Sequence, residues 1–168
     1  MNTSEIGQLL AEKFGTEKIS CKEGVGDPYL EADREKIVEI LNFLRDDPRV
    51  LFDELNAISG VDYPDKKMIA LVYHLFSYTH LHSLNIKVFL SREDPSIRTV
   101  EGIWKAANWQ ERELFDIFGV QIEGHSDLRR ILLPEDWEGS PLRKDYVHQE
   151  YYHGIKVGMD RMPPTRVT

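Results

Sequence analysis

The chain has 168 residues, 41% of them hydrophobic, which is enough for one domain with a core. Its formal net charge of -8 excludes a nucleic-acid binder that works through a basic face. The single cysteine, Cys21, excludes an internal disulfide and an iron–sulfur cluster held by this chain's own thiolates.

A short helix is expected over 4–14, with Ser4 as N-cap and Ile6, Leu9, Leu10 and Phe14 on one side. The opening Met-Asn-Thr-Ser-Glu-Ile has no basic stretch and no long apolar run, so no secretory signal is expected. Gly24, Gly26 and Pro28 mark a loop. It lacks the Lys-Ser/Thr and the following helix start of a phosphate loop. A second helix is expected over 33–45, capped by Asp33, with Ile37, Ile40, Leu41 and Leu44 inward; Asp46-Asp47-Pro48 ends it. Leu51–Val61 is ambiguous and reads as a strand in its second half. Met68–Thr79 is apolar on both alternating faces, as a covered central strand would be. Leu84, Ile86, Val88 and Leu90 alternate with Ser83, Asn85, Lys87 and Ser91, which is the pattern of a half-buried strand. With a turn at 81–83, the two form an antiparallel hairpin. No segment approaches the roughly 20 apolar residues that span a bilayer. The longest, Met68–Phe76, is interrupted by His74, so membrane association is expected only through partners.

Asp94-Pro95-Ser96 breaks the strand pattern, and Thr99 is placed to cap a helix over 100–118, roughly 28 Å long. Its apolar stripe is Val100, Ile103, Trp104, Ala107, Leu114, Phe115 and Phe118. Helical spacing puts Glu111 on that stripe. A carboxylate there must be paired, neutralised or used. Arg112 and Glu113 flank it, and Gly119 suits the position just past the helix end.

Beyond Gly119, prolines and glycines forbid long regular elements. Residues 125–168 carry seven basic and seven acidic side chains, so the body holds the whole negative charge. Ile131, Leu132, Leu133, Trp137, Leu142, Tyr146, Tyr151 and Tyr152 make this stretch too apolar for a free linker. A tail that lies on another surface reconciles the two; extended, it would reach up to about 145–160 Å. Its Trp, Tyr and Arg content matches protein–protein hot spots, and equally a second core.

Two constellations bear on chemistry. His74, His80 and His82 share even parity, and His-x-His is a metal-ligand spacing. The turn at 81–83 breaks that parity, however, and no cysteine completes the set, which favours ordinary hydrogen-bonded histidines. Glu111, Glu113 and Asp116 offer an acid/base cluster. Glu111 and Glu113 diverge on a helix, so arginine–carboxylate pairing at an interface explains them without chemistry.

Glu111-Arg112-Glu113, Phe115, His125, Arg129-Arg130-Ile131 and Pro141-Leu142-Arg143-Lys144-Asp145-Tyr146 together resemble the C-subunit family of respiratory complex I, the NADH:quinone oxidoreductase. The match is dense over 100–146 and collinear from about residue 30. The resemblance implies an α+β fold, with an antiparallel or mixed sheet packed with helices over 1–119 and an extended docking tail over 120–168. It implies a cofactor-free scaffolding subunit in the arm on the cytoplasmic side of a plasma or photosynthetic inner membrane. There the chain would pack on the large quinone-site subunit and the small iron–sulfur subunit. Iron–sulfur clusters, quinone, NADH and FMN would belong to the assembly, and no catalytic residue to this chain. The expected partner interface is Glu111, Arg112, Glu113, His125, Arg129, Arg130, Pro134, Trp137, Pro141, Leu142, Arg143, Lys144, Asp145 and Tyr146. One alternative is the equivalent subunit of a related membrane-bound hydrogenase. There the domain is often joined to the large subunit, whereas this chain ends at Thr168. The other is a stand-alone soluble enzyme using Glu111 and the histidines.

Overall fold

A computed structural model describes residues 1–22 and 26–157; Gly24 and the end of the expected tail, 158–168, lie outside the described residues. Helix α1 (Thr3–Phe14) starts ahead of the expected cap. Asn2, not Ser4, is the last extended residue. Its side chain accepts from the Glu5 N–H at 2.8 Å while Glu5 accepts from the Asn2 N–H at 3.0 Å, so two orphan donors of the first turn are satisfied reciprocally. Strands β1 (Ile19–Lys22) and β2 (Tyr29–Ala32) follow on either side of the glycine loop. Helix α2 (Ile37–Asp46) buries the four expected residues Ile37, Ile40, Leu41 and Leu44. Asp33 does not cap it. Residues before it form a turn, in which Asp33 accepts from the Glu35 N–H and pairs with Lys18.

Strand β3 (Glu54–Tyr63) fills most of the ambiguous stretch and runs past it. It is followed by β4 (Met68–Ser77) and β5 (His82–Ser91), joined as the expected hairpin, but with its turn at 78–81 rather than 81–83. The sheet order is β1-β2-β5-β4-β3. β2 runs parallel to β5 and the other pairs are antiparallel, so the sheet is mixed. Ser77 pairs with His82, which puts odd positions of β4 and even positions of β5 on one face. Ile69, Leu71, Tyr73 and Leu75 therefore bury beside Leu84, Ile86, Val88 and Leu90. Helix α1 meets this face where Gly7 lies against Leu30, and α2 leans on α1 through the Phe14–Phe43 edge contact. Leu30 is paired with Ile86, on the same face.

The expected 100–118 helix is shorter: α3 spans Ala107–Phe118, roughly 18 Å. Residues 100–106 are turns that keep Val100 and Trp104 buried. Thr99 does not cap α3: its hydroxyl accepts from the Glu101 N–H in the turn that precedes the helix, and donates to Glu111 on the flank of α3, which also takes the Val100 N–H. Gly119 closes α3 at φ 71°, donating to the Leu114 and Phe115 carbonyls. Helix α3 lies against β3 at Gly60, where a Cβ would sit 2.5 Å from the Phe118 ring. Two short strands not foreseen in the sequence, β6 (Ser96–Arg98) and β7 (Gln121–Glu123), pair in parallel across α3. After β7 only the hairpin β8 (Tyr151–Tyr152) and β9 (Ile155–Lys156) is regular among the described residues. The α+β reading with a mixed sheet and an irregular C-terminal stretch holds.

Candidate functional site

Glu111 is buried at 2% exposure. One carboxylate oxygen accepts from the Val100 N–H at 2.7 Å and the other from the Thr99 hydroxyl at 2.6 Å. Burial pushes this carboxyl above the ordinary glutamate value, against the opposing pull of those two donors. His125 lies 3.9 Å away with its side chain enclosed. Its Nε2 meets the Asn108 carbonyl at 3.0 Å and its Nδ1 accepts from the Asp127 N–H at 3.0 Å. Nε2 thus holds the chain after β7 against α3, while Nδ1 fixes the turn at Asp127.

Arg112 does not pair with Glu111. The residue is 6% exposed, and its guanidinium donates to the carbonyls of Arg129 and Arg130 at 3.1 and 3.2 Å. One turn further along α3 is Asp116, buried at 1% exposure. Its Oδ2 accepts three successive backbone N–H groups, from Ile131, Leu132 and Leu133, at 2.7 to 3.0 Å. Its Oδ1 accepts from Arg130 at 2.7 Å. Burial raises the Asp116 carboxyl, but these donors together outweigh it and hold it below the ordinary aspartate value. Arg130 continues to the Trp137 carbonyl at 2.8 Å.

The chain then crosses the C-terminal end of α3. The Leu142 N–H donates to the Ile117 carbonyl, and Arg143 Nε to the Phe118 carbonyl at 2.7 Å. A cation there satisfies orphan carbonyls and complements the helix dipole. The Lys144 N–H reaches Asp62 of β3 at 2.8 Å. Asp62 also takes a two-pronged contact from Arg92, which in turn pairs with Asp145. The arginine holds the Asp62 carboxyl below its usual value.

Of the fourteen residues expected at a partner interface, the fold gathers Glu111, Arg112, His125, Arg130, Leu142, Arg143 and Asp145 around α3 and the margin of the sheet. Glu111, Arg112, Arg130, Arg143 and Asp145 are engaged within the chain, and the stretch from 127 to 146 lies on α3 and the sheet margin. Asp116, weighed only as an acid/base candidate, is the centre of the clasp. Asp62 and Arg92 were missed, although Asp62 was detectable as a charge at inward parity with Ile58 and Gly60. Glu113, Pro134 and Lys144 are exposed, whereas Trp137, Pro141 and Tyr146 are half-buried. Arg129 leans into solvent beside Asp127. The outward surface of the stretch adds exposed Leu132, Leu142, Val147, Tyr151 and Ile155. The three histidines do not gather into one site, although the His80 and His82 rings lie 5.6 Å apart. His74 binds Ser59 and Asn85, while His80 and His82 bind the Pro48 and Val50 carbonyls. No group of three His, Cys, Asp or Glu suited to a metal occurs among the described residues.

Residues 30–152, most of the chain and the whole of this clasp, match the family described as respiratory-chain NADH dehydrogenase, 30 kDa subunit. The chain belongs to that family. This 30 kDa-family chain is 45% identical over 163 residues to the NADH-quinone oxidoreductase C-subunit of Chlorobium phaeobacteroides, covering 92% of this chain and 98% of the relative. It is 38% identical over 156 residues to the corresponding C-subunit of Geobacter sulfurreducens, covering 92% and 90%. Among solved structures, it shares its fold with a chain of the membrane-bound sulfane sulfur reductase, an archaeal respiratory membrane complex. The TM-score is 0.74 at 24% identity, over 97% of this chain and 96% of that one. A trypsin-resistant fragment (1-134) of Nqo5 matches 72% of this chain and 98% of its own length, with TM-score 0.60 and 28% identity. The 30 kDa-family relatives are subunits of an oxidoreductase, so the enzymatic activity they are named for is that of a multisubunit assembly. No helix among the described residues is long and apolar enough to cross a membrane.

Proposed function

We propose that this chain is a scaffolding, redox-inactive subunit of an NADH:quinone oxidoreductase of the complex I type. It docks through α3 and the clasped stretch 120–157 onto the large quinone-site subunit, next to the small iron–sulfur subunit. Iron–sulfur clusters, quinone, NADH and FMN belong to those neighbours. The chain reaches the membrane only through them, on the cytoplasmic side.

One observation carries this reading. An irregular stretch is pinned from within by Arg112, Asp116, Arg130 and Arg143, while Leu132, Leu142, Val147, Tyr151 and Ile155 face outward. Such a surface has already lost its backbone freedom, so docking it costs little ordering entropy. Exposed apolar side chains carried on a backbone that is already fixed suit a protein contact. A lone cysteine gives no support for a cluster in this chain. The trypsin resistance of the Nqo5 fragment supports a body that stands firmly by itself. The double variant Leu132→Asp/Leu142→Asp tests the reading. It should melt like the wild type and fail to co-purify with the quinone-site subunits; wild-type recovery of the complex would count against it.

A further inference from the structure

Strand β3 is an edge of the five-stranded sheet, and no described strand pairs with its outer side. An edge ten residues long is usually blunted by lysine, proline or a covering element. β3 contains no lysine and no proline; its bulge between Leu55 and Ala57 and its inward charge Asp62 lie toward its two ends, and the run Ile58 to Val61 between them is regular. Beside it runs a groove of about 450 Å³, with Ala57 to Gly60 on one wall and Glu113, Leu114 and Ile117 of α3 on the other. Leu142 of the clasped stretch also lines it. Two polar groups there lack partners among the described residues. Gln110 donates to the Asn56 carbonyl at 3.3 Å, but its own Oε1 is buried and accepts nothing. Glu113 is exposed, with no hydrogen bond or ion pair.

An unpaired strand edge flanked by a helix, with apolar side chains between, is the geometry that takes up an extended peptide by backbone pairing. We propose that a segment of a neighbouring subunit adds to β3 as a sixth strand in this groove. Alternate apolar side chains of that segment pack on Leu114, Ile117 and Leu142. A basic side chain pairs with Glu113, and a donor reaches Gln110 Oε1. Charge decides against a second copy of this chain as occupant. The chain carries -8 overall, and edge-to-edge pairing would bring acidic copies together. The proposal rests on the chain being a subunit of a larger assembly.

The test uses the assembled complex purified from membranes. A photo-reactive amino acid is placed at exposed Ser59, and separately at exposed Leu132 as a control on the clasped stretch. Links from Ser59 to one contiguous segment of one neighbouring subunit, containing Lys or Arg, are expected. Links from Leu132 with none from Ser59, or Ser59 linking to a second copy or to residues 158–168 of the same chain, would overturn the groove assignment and leave the subunit reading standing. Links from neither position, in a chain that purifies alone, would remove both. Glu113→Lys, which breaks no hydrogen bond or ion pair among the described residues, should lower recovered complex by roughly tenfold or more, and Glu113→Gln by less. Equal recovery of both variants with wild type would also overturn the assignment.

Discussion

Asp116 is where removing one carboxylate should release the most structure. Asp116→Ala leaves three backbone N–H groups without their acceptor and takes the carboxylate from Arg130, which keeps only main-chain carbonyls. Hydrogen bonds to a charged group contribute about 1.5–3 kcal/mol each, but they share one carboxylate and do not add. Breaking a buried charged pair by removing one partner costs about 3–5 kcal/mol, and that is the expected loss. Asp116→Asn keeps one carbonyl oxygen for the three N–H groups but turns an amide donor toward Arg130. Arg130 still holds the Asp116 and Trp137 carbonyls, so a loss of about 1.5–3 kcal/mol is expected. The damage should be local, because the core under α1 and α2 does not depend on this carboxylate. Amide hydrogen exchange resolves it. In Asp116→Ala the amides of Ile131, Leu132 and Leu133 should exchange roughly 100-fold faster or more, while those of β4 and β5 stay protected. Unchanged exchange at 131–133 would show that the clasp is held by something other than Asp116.

Glu111→Ala strands the Thr99 hydroxyl and the Val100 N–H and should cost about 2–4 kcal/mol in thermal or urea melts. Glu111→Gln should cost much less, since the Thr99 hydroxyl can turn to accept from the new amide. Because burial raises the Glu111 carboxyl, its folded state holds the proton more tightly. Wild-type stability should therefore fall as pH rises from the ordinary glutamate range through the raised folded value, and the Gln variant should lack that slope. Asp116 and Asp62 have the opposite sign: both are lowered, so their contribution is complete above the ordinary aspartate range and lost as pH falls through the folded values. Amide NMR of 127–146 on acidification should show the clasp loosening before the sheet, and simultaneous loss of both would contradict this. Gly60→Ala puts a methyl into the Phe118 ring and should cost about 1–3 kcal/mol by pushing α3 from β3; a neutral melt would mean that α3 shifts freely.

Much of this was legible in the sequence where periodicity carries the signal. The inward face of α2, the β4–β5 hairpin and the charge buried at Glu111 all follow from spacing, because burial imposes period 3.6 or 2 on apolar residues. Gly119 was legible because a left-handed helix end favours glycine. Other features depend on partners distant in the chain. Thr99 caps only the turn after it, and its hydroxyl also donates to Glu111, twelve residues away. β6 and β7 are three residues each, too short for alternation to register. β1 and β2 are four residues each and depend on pairing with each other and with β5. The tail's composition pointed to a surface outside its own body, whereas in the structure the stretch 127–146 lies against α3. Helix α3 holds it there because Arg112 and Asp116 project charge where the next segment has carbonyls and N–H groups to offer.

Co-purification from membranes tests the central claim most directly. The chain carrying an affinity tag is drawn from gently solubilised membranes, its partners are identified by mass spectrometry, and NADH:quinone activity is assayed on the eluate and on the chain purified alone. Recovery of the large quinone-site and small iron–sulfur subunits with the activity, and none from the chain alone, is the expected result. A chain recovered without those partners, or one that reduces quinone alone, would contradict it.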